Sequence, residues 1–239
     1  MEDEQIQAID DSKQADGIVY RILEQRDIPD TVKLMTDHNI IIGGERRQSV
    51  YRAICQEALI DKRVLFVVGE EQSKIIAYHI VVSDRNRWRY SFMIRHPLIA
   101  IRNAFYRTFK QTIKAIKKTG HSKKDIVSPI PDLDEYLTPG ATNRSWSDSS
   151  PQIGKNFYTG VAESHRGRRI IKGIFEYGDK ILAARGVRRV DTVILSNNVK
   201  MIRATKRLGW NVYRTTDGSI FTTKDIDKDG RIITNKNIE

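Results

Sequence analysis

Gly160-Val161-Ala162-Glu163-Ser164-His165-Arg166-Gly167-Arg168-Arg169-Ile170-Ile171 is the stretch on which the fold turns. The residues leading into it predict a strand over 156–162, and the apolar spacing after it predicts a helix running to about Arg185, where Gly186 stops it. Between them lies a short basic turn. A helix start exposes N–H groups without intrahelical partners and carries about half a positive charge from the peptide dipoles. Diphosphates bind such places readily. Arg166, Arg168 and Arg169 add charge at the rim, and Gly167 lets backbone approach a ligand closely. A solvated basic turn is the plain alternative, so the surrounding pattern has to decide.

Downstream, a strand over 189–195, a helix over 199–208 ended by Gly209, and strands near 212–216 and 219–224 follow. Upstream, a strand over 19–24 precedes a helix opened by Asp27 and Pro29, whose apolar face begins with Val32, Leu34 and Met35. A second helix over 45–60 places Val50, Ile54 and Ala58 at helical spacing, and two β-branched runs, 64–68 and 75–82, form a hairpin. Strand–helix alternation beside an antiparallel hairpin predicts an α/β (α+β) chain: a mixed, mostly antiparallel central sheet flanked by helices. From Asp84 to Gly154 the texture changes. A helix over 97–118 sets Ile101, Phe105, Phe109, Ile113 and Ile116 on one face against many Arg and Lys, and a loop rich in Pro, Gly and Ser follows. Trp88, Tyr90 and Phe92, just before that helix, either line a pocket or seat it.

The 239 residues are 39% hydrophobic and 30% charged, enough to bury a core. No window approaches the roughly 18–20 apolar residues of a membrane span. The acidic start, residues 1–16, reads as a mobile arm rather than a secretory signal. The single cysteine, Cys55, excludes an intramolecular disulfide and a cysteine-based zinc cluster, and a cytoplasmic protein is expected. The five histidines (His38, His79, His96, His121 and His165) show no helical pairing, so no metal ligands are assigned. Asp225 to Gly230 resembles the front half of an EF-hand loop, but Lys236 stands where a bidentate Glu is required, and a turn is the reading. A net charge of +11 calls for an anionic partner: nucleic acid, membrane lipid or a phosphorylated cofactor. Phosphate-loop, dinucleotide and serine-esterase motifs are missing from the sequence.

At Arg166-Gly167-Arg168-Arg169-Ile170-Ile171 the sequence resembles the GCN5-related N-acetyltransferase (GNAT) superfamily, whose Arg/Gln-x-x-Gly-x-Gly/Ala loop opens a long helix. Asn197-Asn198, a short helix and Leu208-Gly209-Trp210 match a second family element at the usual spacing. The resemblance spans about 19–82 and 156–224. It implies a GNAT-like acyltransferase domain over 17–225 carrying an insertion at 84–154, with 226–239 as a tail or hairpin. It further implies acetyl-CoA or another acyl-CoA as co-substrate, held by Val161, Ala162, Arg166, Gly167, Arg168, Arg169, Ile170, Ile171 and Asn198. A primary amine, such as an amino sugar or another small amine, would attack the thioester directly. Arg169 and Ile171 replace the small residues the family favours, and Thr205 stands where many members place a Tyr that protonates the leaving thiolate. Glu163 and His165 are the candidate bases, and Thr205 the residue at the acid's position. The expected partners are a small-molecule amine, a second copy of the chain, and an anionic membrane surface through 97–118, with nucleic acid ranked last. A GNAT-fold module without catalysis and a basic surface binder are the competing readings.

Overall fold

A computed structural model describes residues 17–38, 48–99, 101, 133–140, 142–215 and 219–233. Its strands are β1 (Val19–Ile22), β2 (Val64–Glu71), β3 (Lys74–Ser83), β4 (Ile153–Val161), β5 (Arg189–Ile194), β6 (Asn211–Arg214), β7 (Ile220–Ile226) and β8 (Ile232–Ile233). The helices are α1 (Ile28–Asp37), α2 (Gln48–Ile60), α3 (Arg85–Arg95), α4 (Ile170–Ala184) and α5 (Val199–Arg207). One eight-stranded sheet runs β1-β2-β3-β4-β5-β7-β6, with β8 added to the end of β7. Every pairing is antiparallel except β4 with β5. No helix among the described residues is long and apolar enough to cross a membrane.

β2 and β3 read as unbroken apolar runs because both of their faces are covered. Phe66, Val68, Tyr78 and Ile80 pack against α1 and α2, while Leu65, Val67, Ala77 and Val81 pack in the other layer, under α4. A two-residue turn, Gln72-Ser73, joins them with φ of 49° and 62°. Two consecutive positive φ values are what a tight hairpin needs to follow the strand twist. Cys55 is buried among the apolar residues of α2, where burial pushes its thiol up to about 12.

The sheet opens in its middle. β4 and β5 are paired only at Ile153–Arg189, Gly154–Val190 and Lys155–Asp191. Just beyond, the β3–β4 register slips, Ile80 facing Tyr158 while Val81 faces Asn156, so Phe157 is an extra residue in β4. A bulge of this kind bends its strand and raises the local twist. β4 turns away from β5 there, and among the described residues no strand pairs with that edge of its second half.

The segment after Asp84 forms α3, a separate helix that begins twelve residues before, and ends ahead of, the basic helix read over 97–118. Asp84 starts it in a left-handed conformation, and Trp88 and Phe92 seat it, with the Trp88 ring 5.4 Å from those of both Phe92 and Phe157. Tyr90 is exposed. Of the helix expected over 97–118, only residues 97–99 and 101 lie within the described residues. Asp227 closes the β7–β8 turn, its Oδ1 accepting the N–H groups of Asp229 and Arg231 at 2.8 Å.

Under α4 the core holds a buried ion pair, Lys224 with Asp179. Burial pulls the lysine down and pushes the carboxyl up, and each partner's charge opposes the shift of the other. The ammonium also sits 4.5 Å from the Trp210 ring centre and 5.2 Å from that of Phe175. Asp179→Asn strands this cation, and we expect a loss of about 3 kcal/mol in denaturant unfolding. Asp179→Leu combined with Lys224→Met should recover at least half of that loss, because an apolar pair leaves nothing buried and uncompensated.

Candidate functional site

β4 runs into a single 3-10 turn, Glu163–His165, and then into Arg166, Gly167, Arg168 and Arg169 before α4 begins at Ile170. Gly167 has φ 88°, and a side chain there would meet nothing within 4 Å, so the position is kept open by backbone conformation rather than by crowding. Arg169 sits at the helix cap with φ 58°. This left-handed conformation explains why a glycine suits that position, and why arginine there carries strain. No side chain caps the helix. Among the described residues the N–H groups of Ile170 and Ile171 find no acceptor. An empty groove of about 630 Å³ opens on this point, lined by Val161, Arg166, Arg169, Ile171, Lys172 and Arg207 among others.

The arginines divide their work. Arg168 is gripped by Glu71 of β2, with contacts of 2.7 and 3.2 Å, and it does not line the groove. Arg168 first, then His165, holds the Glu71 carboxyl below its usual range. His165 spends both ring nitrogens locally, Nε2 on Glu71 at 2.8 Å and Nδ1 on Ser164 Oγ at 2.7 Å. Glu163 projects into solvent and pairs with Arg166 at 3.3 Å. His165 lines the groove and Glu163 does not. Thr205 is fully buried, its hydroxyl donating to the carbonyls of Met201 and Ile202, so it offers no proton to a ligand. Asn198 caps α5 by accepting the Met201 N–H at 3.3 Å. Lys172 and Arg207 complete the cationic rim. Neither stood out in the sequence, because each is one basic residue among the 41 of the chain.

From this groove the uncovered edge of β4 leads into the sheet. The Ala162 N–H donates to Ile76 on the β3 side. Strand alternation then turns the backbone groups of Val161 and Thr159 toward the open side. Thr159 Oγ1 is tied to the Nδ1 of His79, a core imidazole that burial lowers to about 3. On the opposite face Tyr78 lies across from Gly160, and its hydroxyl meets His38 Nδ1 at 3.0 Å. A Cβ on Gly160 would fall 2.5 Å from that hydroxyl and 2.6 Å from the same nitrogen. Glycine is needed there to admit the two rings. His38 and Gly160 are 122 positions apart, so only the folded chain brings them together. A second, larger cavity of about 750 Å³ lies along α4 toward the β7–β8 turn, away from the β4 edge. The described residues hold no cluster of three or more metal-ligating side chains.

No protein-family model matches the sequence, and no curated protein does. Solved structures do match. The PaiA N-acetyltransferase of Thermoplasma acidophilum, solved with coenzyme A, covers 87% of this chain and 98% of its own at 8% identity, with a TM-score of 0.53. A GNAT-family acetyltransferase of Streptococcus pneumoniae gives 87% and 99% coverage, 9% identity and a TM-score of 0.51. The ribosomal-protein-S18-alanine N-acetyltransferase of Escherichia coli gives 93% and 99%, 13% and 0.50. The fold is the GNAT fold.

The two left-handed residues at the helix start make opposite predictions. Gly167→Ala should cost about 1–2 kcal/mol in thermal or chemical unfolding, from backbone strain alone. Arg169→Gly should leave stability within about 0.5 kcal/mol, because relief of strain is offset by the freedom glycine adds to the unfolded chain.

Proposed function

We propose that this GNAT-fold chain is an N-acyltransferase that moves an acetyl or other acyl group from acyl-CoA to a primary amine. The observation that carries this reading is the groove at the start of α4. Uncapped helix N–H groups, four cationic side chains and the free edge of β4 converge there. The diphosphate of CoA would lie against the N–H groups of Ile170 and Ile171, with Arg166, Arg169, Lys172 and Arg207 around it. The pantetheine arm would follow β4, its amides pairing with the backbone of Val161 and Thr159 as a missing strand would. That a structural neighbour is solved with coenzyme A supports an acyl-CoA ligand.

The acceptor would approach from the α1–α2 face, where Tyr51, Tyr78, Tyr158 and His38 gather. On this reading the 84–154 insertion shapes that side. Trp88 of α3 meets Phe157 edge-on at 5.4 Å and Trp146 meets it tilted at 5.9 Å, beside the point where the sheet opens. Direct attack by the amine needs no nucleophilic side chain, in keeping with the groups present.

Titration calorimetry with acetyl-CoA, and release of free thiol in the presence of a panel of amines including amino sugars, test the proposal. Binding together with amine-dependent thiol release is expected. Binding without release at any amine would indicate a CoA-binding module, and no binding at millimolar acetyl-CoA would end the reading. Because these side chains are solvent-exposed, Arg169→Ala and Arg207→Ala should each weaken acetyl-CoA binding by about 1 kcal/mol, roughly fivefold. The effect should shrink with added salt. Arg168→Ala should change affinity less than either, since its guanidinium serves Glu71.

A further inference from the structure

Resting on the acyltransferase reading, we propose that His38 is the general base that deprotonates the acceptor amine, with Tyr78 as the residue that positions it. The geometry comes first. The His38 imidazole is half-buried against Gly160, in the half of β4 whose edge is uncovered. It lies on the α1–α2 face, the side from which an amine reaches a thioester laid along that edge. Among the described residues, no other imidazole reaches this place. His79 is sealed in the layer under α4, His96 is bonded to Glu57 between α2 and α3, and His165 is held by Glu71 and Ser164. Glu163 faces solvent.

The ring is held by the buried Tyr78 hydroxyl at Nδ1, 3.0 Å away. In the neutral tautomer with Nδ1–H donating to the phenol oxygen, the lone pair lies on Nε2. The charged and titratable groups around it come from several elements. Tyr78 stands on β3 and Tyr158 on β4, Glu163 and Arg166 lie in the turn after β4, and Asp37 precedes His38 in the chain. Burial lowers the basicity of the ring and Arg166 lowers it further, while a hydrogen bond to the Val161 backbone, Asp37 and Glu163 oppose them. The net shift is downward, so the imidazole is neutral and able to accept a proton at pH 7.

The substrate ammonium gives one proton to His38 Nε2, and the freed amine nitrogen attacks the thioester carbonyl. The tetrahedral adduct collapses with cleavage of the carbon–sulfur bond. The nitrogen's second proton leaves with the CoA thiolate as free thiol, and His38 returns its own proton to solvent. General bases contribute on the order of 10²–10⁴ in rate.

The test uses the full chain, acetyl-CoA and the best amine found in the panel. His38→Gln should lower kcat by at least about thirtyfold while leaving acetyl-CoA affinity within twofold of wild type. In wild type, kcat/KM should fall with decreasing pH along a limb whose midpoint lies below the ordinary histidine value, and the His38 ring should titrate at that same midpoint by NMR. That limb should be absent in His38→Gln. Tyr78→Phe should keep acetyl-CoA affinity, lower kcat less than His38→Gln, and change the tautomer reported by the His38 ring nitrogens. An active wild type whose rate and pH profile survive His38→Gln would overturn this inference alone. If the variant fails to fold, a His38 titration that does not coincide with the kinetic limb overturns it. A wild type that neither binds acetyl-CoA nor releases thiol overturns the acyltransferase reading as well.

Discussion

The structure depends on the parting of β4 from β5. Three residue pairs hold the two strands together, and one extra residue, Phe157, bends β4 out of register with the sheet. Backbone N–H and C=O groups are obligatory hydrogen-bonding groups, and a strand that loses its neighbour leaves a row of them unanswered. Here that row runs from the middle of the sheet to the start of α4. On the proposed reading, a ligand with two amides and a diphosphate would supply partners to both regions. The groove is therefore a consequence of how the sheet fails to close, rather than of any single binding residue.

Rigid anchoring on both sides keeps the gap in place. On the paired side, Lys155 is wholly buried yet bonded to Asp191 at 2.7 Å, and Arg189 ties Asp191 to Asp148. These contacts fasten β4 to β5 where they still run together. On the open side, Glu71 pins the loop through Arg168 and His165, so the turn that presents Arg169 and Ile170 is fixed to β2. The fold thus uses one arginine to hold the loop and its neighbours to face the groove, a division that net charge cannot express.

The α1–α2 face has a different character. Its aromatic hydroxyls and His38 sit near Gly160 because that residue has no side chain. In the layer under α4, His79 of β3, Lys224 of β7 and Asp179 of α4 itself are buried structural groups. Titratable side chains on the two faces of the sheet therefore differ in setting: His79, Lys224 and Asp179 are sealed by packing, whereas His38 is half-buried.

Much of the fold was legible in the sequence. The unbroken apolar runs of β2 and β3, the stops at Gly186 and Gly209, and the strand–turn–helix that begins with the strand read over 156–162 are local patterns, and local patterns survive folding. The basic turn at the head of α4 was equally plain, since helix ends and their charges are written in adjacent residues. Other features were not legible. Arg168 and Arg169 are neighbours with opposite tasks, and Glu71, nearly a hundred residues away, decides which is which. Thr205 matched a family position by spacing, but its hydroxyl turns back on its own helix. The bulge at Phe157, the cations Lys172 and Arg207, and the meeting of His38, Tyr78 and Gly160 depend on strand register and helix packing. The sequence by itself determined the elements and where an anion could rest. Only the tertiary structure decided which side chains share that place, because contacts between distant residues are set by how the layers pack.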